Sequence, residues 1–107
     1  MDKIPEEIRE FIAEYLWDLR QEIPVEKAVL FGSYAKGDCR KDSDVDLAIF
    51  SDFFKSMNRV NGISFLLQRV KNYQYDLEPI PFTMNDYNER DGFAAEVLKE
   101  GIEIKGI

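Results

Sequence analysis

Two short apolar runs, Ala28-Val29-Leu30-Phe31 and Val45 to Phe50, bracket a polar segment that begins at Gly32. Each is too short for a stable isolated helix and reads as a buried strand, which places sheet at the centre of the chain. Gly32 ends the first run, and the stretch from Gly32 to Ser43, with Gly37 and Asp38 in it, is rich in turn formers. In the second run side chains alternate across the pleat. Val45, Leu47 and Ile49 therefore share one face, and Asp44, Asp46 and Ala48 share the other.

The flanking segments carry helical spacing. From Pro5 to Glu22 the apolar residues are Ile8, Phe11, Ile12, Tyr15, Leu16 and Leu19, with Ile23 next, three or four apart along one stripe. Pro5 suits a first turn, Glu6 and Glu7 favour its positive end, and Pro24 stops the pattern. After the second strand, Asp52 is expected to cap a helix bearing Met57, Val60, Ile63, Leu66, Leu67 and Val70, with Asn61-Gly62 as a weak point. Tyr73 to Ile80 reads as a third strand, ended by Pro79 and Pro81. Thr83 and Asp86 form a capping box that opens helical turns through Tyr87. Phe93, Ala94, Val97 and Leu98 mark a last helix stopped by Gly101, and Ile102-Glu103-Ile104 adds a short strand.

No repeat, low-complexity segment or linker interrupts this order, so residues 1–107 are expected to form a single α/β domain. Trp17, off the main stripe, is a side-packing residue or part of a partner surface, with packing favoured, and the aromatics Tyr73, Tyr75, Phe82 and Tyr87 are core candidates first. Phe53 and Phe54 are either core residues or a partner-facing patch.

Charge and composition then exclude whole classes of chemistry. Fourteen Lys and Arg stand against 21 Asp and Glu, a net charge of -7, which disfavours nucleic acid and anionic membrane as primary partners. There is no histidine, so imidazole nucleophile systems, histidine metal sites and histidine-ligated haem are excluded, and acid–base or metal chemistry must use carboxylates. Cys39 is alone and cannot form an internal disulfide, and no apolar run reaches the roughly 18 residues of a membrane span. A reducing, cytoplasmic setting is expected. With 107 residues the chain can build one core but not an elaborate substrate domain as well, so a large substrate needs recognition from elsewhere.

The chemistry-bearing residues surround the turn. Gly32 and Ser33 leave a strand and open a helical turn, where backbone N–H groups meet anions and a glycine lets a phosphate approach closely. Ser33 offers a hydroxyl and Lys36, one turn later, a charge for the same phosphate. Lys36 is equally well explained as a surface helix residue. Asp44 and Asp46 repel each other unless something positive lies between them, and oxygen ligands without histidine or thiolate point to magnesium or manganese. Two such ions serve in-line displacement of pyrophosphate, which calls for a third carboxylate. Asp76 and Glu78 on the third strand both offer one, as metal ligand or as acceptor of the attacking hydroxyl's proton.

Gly-Ser, ten residues, then Asp-x-Asp, met by Gly32, Ser33, Asp44 and Asp46, resembles the signature of the DNA polymerase β-like nucleotidyltransferase superfamily. The fuller string GSYAKGD…SDVDL and the small size resemble its minimal nucleotidyltransferases. The resemblance implies a polymerase β-like fold, a small mixed sheet flanked by helices. It implies nucleoside triphosphate, such as ATP, as substrate, two magnesium ions, and transfer of AMP or another nucleoside monophosphate to a hydroxyl. Gly32 and Ser33 inherit the triphosphate, and Asp44 and Asp46 inherit the metals. Asp76, further from the proline taken to end the strand, is favoured over Glu78 as third carboxylate. Minimal members often act as antitoxins that adenylylate a tyrosine of a small HEPN-fold toxin, and such a partner would supply the acceptor. A catalytically inert antitoxin that works by complex formation, and a small-molecule nucleotidyltransferase, are the alternatives.

Overall fold

The computed structural model describes residues 4–37 and 44–105. Helix α1, Glu6–Arg20, buries Ile8, Phe11, Ile12, Tyr15, Leu16 and Leu19, the stripe set by the sequence spacing. Strand β1, Lys27–Phe31, leads into the single-turn helix α2, Ser33–Lys36. Strand β2, Val45–Phe50, follows, then a 3-10 turn over Asp52–Phe54, and helix α3, Arg59–Leu67. Strand β3 is Leu77–Phe82, helices α4 and α5 are Met84–Glu89 and Gly92–Glu100, and β4 is Ile102–Glu103.

The four strands form one mixed sheet in the order β3-β2-β1-β4. β1 runs antiparallel to both β2 and β4, whereas β2 and β3 are parallel. α1 and α3 cover one sheet face, over Ala28, Leu30, Val45, Leu47, Ile49 and Leu77. α4 and α5 cover part of the other, over Val29, Ala48, Phe50 and Phe82. Polar contacts fix elements within each layer. Thr83 and Asp86 make the expected capping box. The Tyr15 hydroxyl donates to the Leu66 carbonyl at 2.8 Å, and burial raises its pKa well above the usual phenol value.

Several expectations are corrected. The third strand starts at Leu77, not Tyr73, and runs through Pro79 and Pro81 instead of ending there. The reason lies in its edge position: Val45 N–H donates to the Asp76 carbonyl and Ser51 N–H to the Phe82 carbonyl, each at 2.8 Å. Even-numbered residues thus turn their backbone toward β2, and the two proline nitrogens, which have no N–H to offer, point away from the sheet. Asp52 does not cap the helix after it. Ser51 caps the 3-10 turn, Asn58 caps α3, and the Asp52 carboxylate accepts from Met84 N–H at the start of α4. Val60, expected among the apolar positions of that helix, is 75% exposed. Gly62 is explained by packing, since a Cβ there would lie 2.7 Å from Cγ of Pro81. Tyr73, expected on the core, is 78% exposed, and Trp17 is 66% exposed, against the packing favoured for it. Tyr75 and Tyr87 are half-buried against it, and Phe54 is buried while Phe53 is partly exposed. No helix of the described residues is long and apolar enough to cross a membrane.

Candidate active site

Strand alternation gives the partly covered face of the sheet two different halves. Toward the end of β2 and β3 the face carries Ala48, Phe50, Ile80 and Phe82, buried or half-buried under α4 and α5. Toward their beginning it carries carboxylates. Asp46 pairs in register with Glu78, and the preceding pair on the same register is Asp44 with Asp76. The parallel alignment keeps each pair side by side and on a common face.

β1 runs antiparallel to β2, so its last residue, Phe31, pairs with Asp46 and the turn that follows arrives at the carboxylates. Gly32 makes that arrival possible. Its φ of 74° and ψ of -150° belong to a region open essentially to glycine alone. A Cβ at this position would also overlap Oδ2 of Asp46. The Gly32 carbonyl accepts from Ala35 and Lys36 N–H at 3.1 Å, starting α2, and buried Tyr34 and Ala35 anchor it. Ser33 thus stands at the first position of α2 beside Asp46's strand, while Lys36 is exposed in the last turn. Gly37, left-handed at φ 79°, closes α2 with its N–H on the Ser33 carbonyl at 3.0 Å.

The carboxylates of the acidic half act on one another. Asp46 is half-buried, and its pKa is raised, first by that burial and then by the charges of Asp44 and Glu78. The Glu78 carboxyl, on a residue exposed overall, is also raised, by local desolvation first and then by Asp76 and Asp44. Among the described residues no three ligating side chains are gathered closely enough to hold a metal ion as they stand. The donor set is nonetheless all carboxylate oxygen, and its mutual repulsion is what a hard divalent cation relieves.

The structure therefore brings Gly32, Ser33, Asp44, Asp46, Asp76 and Glu78 to one end of the sheet. The ground for preferring Asp76 over Glu78, a strand ended by Pro79, is removed, because β3 continues to Phe82. Asp38 to Ser43, Cys39 among them, lie outside the described residues. Sequence reasoning passed over Arg59, whose guanidinium stands 5.2 Å from the Phe82 ring centre. The available signal was a cation at the first position of a helix, where the dipole opposes it.

Comparison with known proteins agrees with this geometry. The sequence model of the nucleotidyltransferase domain family matches residues 12–104. Protein adenylyltransferase MntA of Thermococcus cleftensis is 25% identical over 99 residues, covering 92% of this chain and 94% of that protein. A Methanocaldococcus jannaschii protein, provisionally named a protein adenylyltransferase, is 26% identical over 73 residues, 66% of this chain and 83% of that one. A crystal structure from Sulfolobus solfataricus, provisionally described as a nucleotidyltransferase, superposes with a TM-score of 0.69 at 19% identity, over 89% of this chain and 77% of the other. The last similarity is one of fold. The chain belongs to the nucleotidyltransferase domain family, whose enzymes transfer nucleotidyl groups.

Proposed function

We propose that this chain transfers AMP, or another nucleoside monophosphate, from its triphosphate to a hydroxyl on a protein, with a tyrosine of a cognate HEPN-type toxin as acceptor and the cytoplasm as its setting. The observation that carries it is the fit of Gly32 against Asp46: a glycine-only backbone turn packs on a half-buried carboxylate and is followed at once by Ser33, the candidate phosphate ligand. The names of the relatives, protein adenylyltransferases, favour protein over small-molecule acceptors.

Asp44 and Asp46, with Asp76 or Glu78, would hold magnesium or manganese. Such ions, when bound, neutralise the charge that builds up during in-line displacement. Gly32 and Ser33 would hold the triphosphate through backbone N–H groups and the serine hydroxyl, with Lys36 adding charge. The acceptor oxygen forms a bond to the α-phosphorus as the bond to the bridging oxygen breaks, and pyrophosphate leaves. The hydroxyl proton passes to a carboxylate of β3, for which Asp76 and Glu78 are both placed. No side chain of the site reads base edges in this scheme.

The test is transfer of label from α-labelled ATP to the co-expressed partner. Transfer that is lost in Asp46→Ala while the fold is retained is the expected result; undiminished transfer would remove Asp46 from the site. Neutralisation of the partner by an Asp44/Asp46 double variant, at normal complex stability, would show an antitoxin that acts by binding alone.

A further inference from the structure

The two halves of the carboxylate face meet at an aromatic ring. Phe93, near the start of α5, lies 5.9 Å from the Phe31 ring, edge-on, and 5.7 Å from the Phe82 ring. Phe31 is the residue before Gly32 and the register partner of Asp46. Phe93 therefore stands where the apolar floor ends and the acidic half begins. It is 43% exposed. Among the described residues the other large exposed apolar side chains are Trp17, Phe53, Val60, Leu67 and Tyr73. None of them has a ring contact with a strand residue of this site, whereas Phe93 has one with Phe31.

Arg59 supports this ring. Its guanidinium lies 5.2 Å from the centre of Phe82 and 6.0 Å from that of Phe93, and it makes no salt bridge among the described residues. At the first position of α3 its charge is opposed by the helix dipole. A sequence that places a cation against the local preference, on two aromatic faces beside an acidic site, breaks a local rule where function is concentrated.

We propose that Phe93, backed by Arg59, is the stacking platform for the nucleobase of the triphosphate. This rests on the nucleotide reading above and extends it to the base. A nucleotide with its phosphates at Gly32 and Ser33 and its α-phosphorus at the carboxylates must place one apolar, planar group nearby. The exposed ring at the border of the carboxylates is the surface with matching shape and polarity. Stacking accepts any base, because each has a π face, so the platform supplies affinity without base selection. An acceptor tyrosine is the competing occupant, but it arrives with a second protein that brings contacts of its own.

The experiment measures binding of non-reacting ATP, GTP, CTP and UTP analogues and of inorganic tripolyphosphate, with magnesium, and the KM of the acceptor in transfer, for the unaltered protein and for Phe93→Ala, Phe93→Leu and Phe93→Trp. Phe93→Leu keeps an apolar side chain against Phe31 and Phe82, so it decides the matter if Phe93→Ala fails to fold. The expected result is analogue binding weakened about tenfold or more in Phe93→Ala and Phe93→Leu, equally for adenine, guanine, cytosine and uracil. Tripolyphosphate binding is unchanged, and Phe93→Trp restores the analogue. Analogue binding by Phe93→Leu equal to that of the unaltered protein, equal losses for analogue and tripolyphosphate, or a change confined to the KM of the acceptor would each overturn the platform while leaving the transferase reading intact. An unaltered protein that binds neither ligand would overturn both.

Discussion

One face of one sheet is built in two ways. In β2 and β3 the same alternation that puts Ala48, Phe50 and Phe82 under α4 and α5 puts Asp44, Asp46, Asp76 and Glu78 in line a few residues earlier. The apolar half is satisfied by its neighbours: Phe50 stacks on Phe82 at 4.9 Å and meets the edge of Tyr87 at 5.4 Å. The acidic half sets carboxylate beside carboxylate, and burial together with the neighbouring charges raises the pKa values of Asp46 and Glu78. Stability and chemistry therefore occupy adjacent stretches of the same strands, and substitutions in the two halves should have opposite signatures.

The largest effects separate the halves. Asp46→Asn is expected to reduce transfer by roughly 10³-fold or more, in the range lost when a group that stabilises transition-state charge is removed, with the fold intact by circular dichroism. Phe50→Ala is expected to do the reverse. It should cost about 3–5 kcal/mol of stability by urea unfolding and leave whatever protein remains folded competent for nucleotide. A Phe50→Ala protein of normal stability would show that the apolar half is not the structural support of the site.

Gly32→Ala tests the seam between them. Its backbone strain is expected to cost about 1–3 kcal/mol, and the new Cβ should displace Asp46, so transfer and thermal midpoint fall together. A Gly32→Ala variant with full transfer would detach the turn from the carboxylate.

Smaller and opposite in sign is the stability of Asp46→Asn without divalent cation at pH 7. Removing one charge from the repelling set should raise the midpoint by a few degrees, the usual exchange of activity for stability at a strained site. Magnesium should raise the midpoint of the unaltered protein more than that of the variant. The smallest effect is in pH. A carboxyl whose pKa is raised on folding contributes stability that is present below its unfolded value and lost as pH rises through the folded one. The advantage of Asp46→Asn should therefore shrink as pH falls from 7 through the raised values of Asp46 and Glu78. An advantage that grows in acid would contradict the sign.

Much of this was legible in residues. The helical stripe of α1, the strands around Gly32, the capping box at Thr83 and the stop at Gly101 followed from local spacing and backbone chemistry, which tertiary packing did not override. The bounds of β3 escape local reading because proline forbids a strand only where an N–H is needed, and edge position is a property of the whole sheet. Asp44, Asp46, Asp76 and Glu78 could be chosen by residue type, but that Asp46 pairs with Glu78 depends on a register no local pattern encodes. Phe93 marks the last helix in the sequence, but an aromatic at helical spacing does not announce that its outer face is bare.

The prolines of β3 also limit how another protein can approach. Pro79 and Pro81 deny an incoming strand its donors along one margin of the sheet, and at the other margin β4 is two residues long. Neither margin among the described residues offers a ladder for a guest strand to extend. A protein that meets this domain must do so through helices, loops and side chains, an arrangement that leaves the sheet free of self-templated association.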